Sequence, residues 1–162
     1  MISVIRVRFV LDVHLAKLAR HLRMVGIDAL WRAFGEEAED AKLLATAIAE
    51  KRVLLTRDRD LYQRTPEELR YYVQETDPTL QFKEVLRQFD LVAYARGKTG
   101  FLTRCLQCNS PILPVQGHQI ADRLPGHVIE QFREFYLCPR CERVYWNGSH
   151  VDRMKLWLDR VL

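Results

Sequence analysis

Hydrophobic positions near the start of the chain switch from a two-residue repeat to a helical one. Residues 5–11 carry apolar side chains at alternate positions and are followed by Asp12, which predicts a strand that ends at this acid. Apolar residues at 15–25 then recur at helical spacing, and Gly26 suits the end of that helix. The chain therefore begins with a predicted strand followed by a helix.

The same alternation continues to about residue 90. It predicts a short strand at 28–31, a helix from about Asp40, a strand at 52–56, a weaker strand at 71–73 and a helix that begins at Asp77–Pro78. The segment 52–56 contains a continuous apolar run, as in strands that are buried on both faces of a parallel sheet. Strands that alternate with helices indicate an α/β domain with a mainly parallel sheet.

Both repeats are lost at 93–100, where two glycines occur. We expect a domain boundary in this stretch, with a larger domain at 1–95 and a smaller module at 96–162. The total of 162 residues, 48% of them hydrophobic, is enough for one domain of ordinary size with such an appendage.

All four cysteines occur in two Cys-x-x-Cys pairs, Cys105–Cys108 and Cys138–Cys141, and both pairs lie in the smaller module. Two such pairs can hold one tetrahedral zinc ion, and a site with four thiolates has no open coordination position. The sequence therefore predicts one structural zinc in a ribbon of two hairpins, and the chemistry has to lie upstream. A short amphipathic helix at 151–161 is predicted to close the chain.

The charge distribution separates the two parts of the chain without identifying a partner. Residues 1–90 contain 15 Lys and Arg against 15 Asp and Glu, whereas residues 91–162 contain 10 against 6 and supply the whole net charge of +4. A mildly basic module is compatible with a polyanion but does not establish one. No apolar run approaches membrane-spanning length, and reduced, metal-bound thiols favour a cytoplasmic protein.

Four acidic residues follow predicted strands or open a predicted helix. They are Asp12 after the first strand, Asp58 and Asp60 after the strand at 52–56, and Asp40 at the start of the second helix. Because ligands of parallel α/β sheets bind outside the carboxyl ends of the strands, we expect these side chains at one rim. Their mutual repulsion would be relieved by magnesium or manganese, which prefer oxygen ligands. Each acid also has a structural alternative, as a helix N-cap or as the partner of a surface arginine.

Divalent metals held by carboxylates suit phosphoryl chemistry, because one or two ions can bind a phosphodiester and activate water. Arg20 and Arg23 stand three positions apart on the first helix, off its apolar stripe, and are candidates to hold substrate phosphates. The alternative for both is a solvated helix face. Thr56 ends the strand at 52–56 and is a candidate to orient a carboxylate or the attacking water.

Long blocks of the sequence carry these acids and cysteines in a fixed order. The blocks are Asp12–Asp28, Leu54–Leu61, Arg104–Asn109 and Cys138–His150. Together they resemble the Mut-seven C-terminal RNase family, and the resemblance spans nearly the whole chain. It implies a PIN-like nuclease domain with a mainly parallel sheet, an appended zinc ribbon and metal-dependent cleavage of RNA.

The resemblance also implies roles for individual residues. Four acids become the ligands of one or two catalytic magnesium or manganese ions: Asp12, Asp40, Asp58 and Asp60. Three glutamates are close rivals of Asp40: Glu36, Glu37 and Glu39. The sequence departs from the family pattern at His14, where an apolar residue is expected near the first acid.

Aromatic and cationic residues around the second cysteine pair suit RNA binding. They are Tyr145, Trp146 and His150, with Arg140 and Arg143. Such side chains can stack on bases and contact phosphates. The alternative is that the aromatic residues pack a ribbon too small to have another core. We favour packing for Trp146 and keep His150 as a candidate RNA contact.

The sequence as a whole predicts a metal-dependent ribonuclease that binds RNA, with one structural zinc and a carboxylate site for magnesium or manganese. Two alternatives stay open. The first is a non-catalytic RNA-binding or ribosome-associated protein in which the ribbon does the binding. The second is a metal-dependent phosphohydrolase of small phosphate esters, because Asp58-Arg-Asp60 resembles the Asp-x-Asp of aspartyl-phosphate enzymes.

Overall fold

The computed structural model describes residues 7–31 and 39–162. The chain divides into two compact units, Met1–Asn109 and Ser110–Leu162. The first cysteine pair therefore belongs to the same compact unit as the predicted sheet. The expectation that a catalytic domain ends at about residue 95 concerns function and stays a prediction.

The first unit is built on a parallel sheet of four strands. In chain order these are β1 (Phe9–Leu11), β2 (Ala29–Leu30), β3 (Val53–Thr56) and β4 (Arg70–Tyr72). Their spatial order is β2-β1-β3-β4, and each neighbouring pair is parallel. The predicted α/β fold with a mainly parallel sheet is confirmed, and the apolar strand β3 lies inside the sheet as expected.

Among the described residues of the first unit, five α-helices connect or flank these strands. They are α1 (Ala16–Met24), α2 (Glu39–Glu50), α3 (Arg59–Arg64), α4 (Pro78–Gln88) and α5 (Val92–Gly97). The N-cap predicted for α4 is present, because Asp77 Oδ1 accepts hydrogen bonds from the amides of Thr79 and Leu80 at 2.9 and 3.1 Å.

Helix α5 occupies most of the stretch at 93–100, in which the sequence loses its hydrophobic repeat. The domain boundary expected in this stretch stays a prediction. Neither α5 nor α3 was predicted. Each has six residues, fewer than two turns, which is too short for a helical repeat to show in the sequence.

Side chains alternate between the two faces of the sheet, and each face has its own helices. On one face, Val10 of β1 and Leu54 of β3 form a buried cluster with Leu43 and Ala47 of α2 and Leu61 of α3. This packing sets α2 and α3 on the same side of the sheet, so the residues at the starts of both helices lie beside the strand ends.

Helices α1 and α4 pack against each other and bury apolar residues for the rest of the core. The buried side chains of α1 include Leu18 and Leu22, and those of α4 include Phe82 and Leu86. Phe9 of β1 contacts the ring of Phe89, just beyond α4, with centroids 4.9 Å apart in an edge-to-face arrangement.

The segment after α5 returns to the end of α1. The amide of Leu102 donates to the Met24 carbonyl at 2.9 Å. Gly26 has a φ of +84°, and a Cβ atom at this position would lie 2.3 Å from the Gly100 carbonyl oxygen. The end of α1 therefore requires glycine both for its backbone conformation and for this close approach.

The second unit contains a three-stranded antiparallel sheet and two helices. The strands are β5 (Leu113–Val115), β6 (Phe135–Leu137) and β7 (Val144–Trp146), in that spatial order, and the helices are α6 (Gly126–Gln131) and α7 (Ser149–Val161). Trp146 packs against a small core of Ile120, Val128 and Phe135. The predicted closing helix is confirmed as α7, which buries Val151 and Leu158. The packing role favoured for Trp146 is also confirmed.

Candidate functional site

The four cysteines form one cluster in which the sulfur atoms all lie within 4.8 Å of one another. A tetrahedral ion with zinc–sulfur bonds of about 2.3 Å requires sulfur separations of about 3.8 Å, so the cluster fits a metal of this kind. In the described ranges, 7–31 and 39–162, the four cysteines are the one group of three or more potential ligands whose donor atoms lie close enough together to hold a single ion. The four cysteines can therefore hold a metal ion, as the sequence predicts.

The two cysteine pairs adopt the same turn. In the first pair the amide of Asn109 donates to the Cys105 carbonyl at 3.0 Å, and in the second the amide of Glu142 donates to the Cys138 carbonyl at 2.9 Å. Asn109 and Glu142 both have left-handed backbones, with φ of +71° and +61°. Each pair of thiols is thus presented by a backbone turn of the same shape, as in a zinc knuckle.

Asp12 lies at the end of β1 and is 4% exposed. Its Oδ2 accepts a hydrogen bond of 2.7 Å from the hydroxyl of Thr56, and its Oδ1 accepts one of 2.8 Å from the amide of His14. The Thr56 hydroxyl in turn accepts a hydrogen bond of 2.9 Å from the amide of Asp58. Thr56 therefore joins the ends of β1 and β3 and sets the direction of the Asp12 carboxylate.

Asp58 follows β3 and caps α3. Its Oδ1 accepts hydrogen bonds from the amides of Asp60 and Leu61 at 2.8 and 2.9 Å, so the structural alternative considered for this acid is present. An ionised carboxylate has about four lone-pair positions, and the cap uses one oxygen atom. Capping and metal binding are therefore compatible at Asp58.

Asp40 and Asp60 share one arginine. Arg64 Nη2 contacts Asp40 Oδ2 at 2.7 Å, and Arg64 Nε contacts Asp60 Oδ2 at 3.1 Å. All three side chains are exposed to solvent by 45% or more. Exposed ion pairs of this kind contribute about 0–1 kcal/mol, so the guanidinium can turn away at little cost.

The Thr56 hydroxyl connects the Asp12 carboxylate to the backbone amide of Asp58, at the carboxyl ends of β1 and β3. Arg64 pairs with Asp40, at the start of α2, and with Asp60 in α3. Hard oxygen donors of this kind fit magnesium or manganese. The predicted ligand set stays a prediction. Of the alternatives to Asp40, Glu36 and Glu37 lie outside the described residues, and so does the side chain of Glu39.

The two arginines predicted to hold substrate phosphates have different positions. Arg20 is exposed on α1, as such a role requires. Arg23 is 2% exposed, and it donates to four backbone carbonyls: those of Ala29, Trp31, Leu106 and Gln107. A guanidinium buried against carbonyls is not accessible to a phosphate. We therefore assign Arg23 to packing between α1, β2 and the first knuckle, and keep Arg20 as the candidate.

A partly buried polar cluster around Asp28 was not anticipated from the sequence. Arg52 Nη1 contacts Asp28 Oδ1 at 2.6 Å, Arg104 Nη2 approaches Asp28 Oδ2 at 3.7 Å, and Asn109 Nδ2 donates to Asp28 Oδ1 at 2.7 Å. Burial acts to raise the pKa of Asp28, but the hydrogen bonds and positive charges of these partners outweigh it and hold the pKa below its ordinary value. The one signal in the sequence was that Asp28 and Asn109 end two of the resembling blocks.

The described part of the ribbon places His150 beside Trp146. Their ring centroids are 5.5 Å apart in an edge-to-face arrangement, and both side chains are half-buried. Because Trp146 belongs to the ribbon core, its ring supports His150 at the start of α7. The proposed contact between His150 and RNA stays a prediction.

The structure thus combines a parallel α/β unit, in which acids follow the strands, with a four-cysteine cluster that is consistent with a zinc ribbon. The family model described as the Mut7-C RNAse domain matches residues 7–158. The chain belongs to the Mut7-C RNase family. A search of curated proteins and a search of solved structures found no match.

Membership in this family points to a nuclease-type function with RNA as the substrate class. In the two described ranges, every helix is too short or too polar to cross a membrane.

Proposed function

We propose that this protein is a metal-dependent ribonuclease that hydrolyses RNA phosphodiester bonds at the rim formed by its strand-end carboxylates. The observation that carries the proposal is the Thr56 bridge, which orients the buried Asp12 carboxylate beside the start of α3, where Asp58 lies. If Asp58 served only to cap α3, nothing would require a second carboxylate, that of Asp12, to be held by Thr56 at the end of the neighbouring strand. Family membership supports the same function.

Asp12 and Asp58 would hold one or two magnesium or manganese ions, and Asp40 and Asp60 would complete the site when Arg64 turns away. Such ions supply charge neutralisation on the phosphate and a nucleophile from water at neutral pH. Thr56 keeps Asp12 in one orientation, because its hydroxyl donates to one carboxylate oxygen. Arg20 would contact a substrate phosphate from the exposed side of α1.

The four cysteines would hold one zinc ion. Four thiolates leave no open position, so this ion would stabilise the fold and take no part in the reaction. His150 and the neighbouring half-buried Tyr145 would add RNA contacts from the second unit.

A second candidate function is a non-catalytic RNA-binding protein. It is favoured by one observation, namely that Arg64 is paired with Asp40 and Asp60 while Asp58 caps a helix. In that case the acids would stabilise the fold and bind no metal.

The experiment that separates the two functions is a cleavage assay on labelled single-stranded RNA, with manganese or with EDTA. Asp58→Asn removes the charge but keeps a good N-cap residue, and we expect it to reduce metal-dependent cleavage by about a hundredfold or more. Asp77→Asn is the matched control, because Asp77 caps α4 through the same kind of hydrogen bonds but does not follow a strand of the rim. We expect this control to cleave like the wild type.

Equal cleavage by Asp58→Asn and the wild type would contradict the proposed site. Tight RNA binding by the wild type without any cleavage would favour the non-catalytic function.

A further inference from the structure

A cleft of about 270 Å³ lies between α3 and the edge strand β4 in the first unit. Its walls contain two tyrosines, two glutamine amides and one arginine: Tyr62, Tyr72, Gln63, Gln74 and Arg59. Both tyrosines are half-buried, and the other three residues are exposed. The cleft therefore combines aromatic surface, neutral hydrogen-bonding groups and a positive charge.

Helical spacing explains why α3 contributes three of these residues. Arg59, Tyr62 and Gln63 stand at positions i, i+3 and i+4 and share one face of the helix. Asp60 and Arg64 form an i, i+4 ion pair on a different face, the one that reaches Asp40. The same short helix thus presents the cleft on one side and two acidic-rim residues on the other.

The register of the sheet places the cleft at the end where the acids lie. Tyr72 of β4 is paired with Thr56 of β3, and neighbouring strands are about 4.8 Å apart. Paired residues point to the same face, so Tyr72 stands on the side of α3. Since Thr56 donates to Asp12 and accepts from the amide of Asp58, the cleft directly adjoins the carboxylate rim.

The aromatic rings are held in place by arginines on both sides. Tyr62 and Tyr72 meet edge-to-face with centroids 5.9 Å apart, and the Arg59 guanidinium lies 5.7 Å from the Tyr72 ring. The Arg70 guanidinium lies 4.4 Å from the Tyr62 ring, and its Nη1 donates to carbonyls at the end of α3, that of Tyr62 among them at 3.2 Å. Rings fixed in this way lose little further freedom when they bind a ligand.

We propose that this cleft binds an unstacked base of single-stranded RNA beside the phosphodiester that is cleaved. The inference rests on the proposed function and adds the part of the substrate that the acids do not contact. Tyrosine rings and guanidinium planes stack on bases, and amide groups such as those of Gln63 and Gln74 hydrogen-bond to base edges. A base within a duplex has both faces covered, so the cleft selects single strands.

The test is RNA binding in buffer cleared of divalent metals with a chelating resin before the protein is added, with no magnesium or manganese, so that no metal-dependent cleavage occurs and any zinc in the protein stays bound. Binding is measured by the fluorescence anisotropy of two short labelled RNAs. One is a single-stranded RNA of mixed sequence, and the other has the same length and phosphates but abasic sites in place of its bases. We expect Tyr62→Leu and Tyr72→Leu each to weaken binding of the first RNA by roughly tenfold and to leave binding of the abasic RNA unchanged. Tyr72→Phe, which keeps the ring, should bind like the wild type.

The matched control is Tyr71→Leu. Tyr71 is half-buried on the same strand but points to the opposite face, where it contacts Phe89. The Tyr71→Leu variant should therefore bind the RNA with bases in preference to the abasic RNA as strongly as the wild type does. If a Leu variant does not fold, judged by circular dichroism, the exposed pair Gln63→Ala and Gln74→Ala tests the same cleft and should weaken binding of the first RNA alone.

Three results would overturn the inference. They are wild-type binding by the Leu variants, an equal loss of affinity for both RNAs, and a wild-type protein that binds both RNAs equally. Base-dependent binding through the tyrosines in a protein that never cleaves RNA would uphold the cleft and contradict the ribonuclease. Metal-dependent cleavage by the wild type, together with unchanged RNA binding in the tyrosine variants, would uphold the ribonuclease and contradict the cleft.

Discussion

Two arginines on the first helix show that the position of a residue on a helix can decide its role. Arg20 and Arg23 are of the same type and three positions apart, and both were candidates for phosphate contacts. Arg20 faces solvent, whereas Arg23 is buried against the carbonyls of β2 and of the first knuckle. Three helical positions leave the two side chains about 60° apart around the helix axis, so Arg23 can lie at the edge of the buried face while Arg20 points to solvent.

Arg23→Leu should strongly destabilise the protein. The leucine would leave the buried carbonyls of Ala29 and Leu106 and the partly buried carbonyl of Gln107 without this donor, and we expect the free energy of unfolding to fall by about 3 kcal/mol. Urea denaturation followed by circular dichroism measures this change. Arg20→Leu is the matched control on the exposed position and should change the free energy of unfolding by less than about 0.5 kcal/mol. Equal effects of the two substitutions would contradict the packing role.

At the scale of the element, the end of α1 depends on one residue. Gly26 has a positive φ and lies so close to Gly100 that a side chain cannot be placed there without moving backbone atoms. The spacing of the apolar residues located this helix end correctly, because glycine at the end of a helical repeat is a local signal. The approach of Gly100 was not visible, because it depends on a segment that lies far along the chain.

Gly26→Ala should therefore lower stability much more than an ordinary glycine substitution. The left-handed backbone and the 2.3 Å contact with the Gly100 carbonyl both oppose a Cβ atom, and we expect a loss of about 2 kcal/mol or more in the free energy of unfolding. Gly97→Ala is the control, because the nearest atom to its Cβ would be 3.8 Å away and alanine favours the helix. Thermal unfolding should show a lower midpoint for Gly26→Ala alone. A midpoint like that of the wild type would contradict the close approach.

At the scale of the whole molecule, the first knuckle is part of the α/β unit. Arg104 and Asn109 contact the partly buried Asp28, and the carbonyls of Leu106 and Gln107 accept hydrogen bonds from Arg23. These contacts explain why the first compact unit extends to Asn109, beyond the stretch where the sequence loses its periodicity. Cys105 and Cys108 thus lie in a segment that the contacts of the α/β unit position.

A fragment of residues 1–109 should be markedly more stable than a fragment of residues 1–95. Only the longer one keeps the partners of Arg23 and Asp28 that follow α5. Both fragments lack Cys138 and Cys141, so a four-thiolate zinc site is absent from both and does not affect the comparison. We expect a cooperative thermal transition for the longer fragment and a lower midpoint, or no transition, for the shorter one. Equal midpoints would support a domain that ends near residue 95.

Much of the fold could be predicted because its signals are local. The apolar run of β3, the Asp77–Pro78 start of α4 and the spacing of the cysteine pairs are each contained in a few neighbouring residues. The helices α3 and α5 were missed because they lack such a local signal: six residues are too few to show a helical repeat. For the candidate site, the sequence shows which acids follow strands, but it does not show the side chains and amides that these acids contact.

The sequence by itself determined the order of most strands and helices, the two cysteine pairs that can hold a metal ion and the acids that follow the strands. Only the tertiary structure decided that Thr56 joins Asp12 to the start of α3, that Arg64 pairs with two acids, and that Tyr72 stands beside Thr56. Periodicity and spacing arise from neighbouring residues, whose geometry the backbone repeat sets. Contacts between residues far apart in the chain depend on sheet order and register, which no local pattern contains.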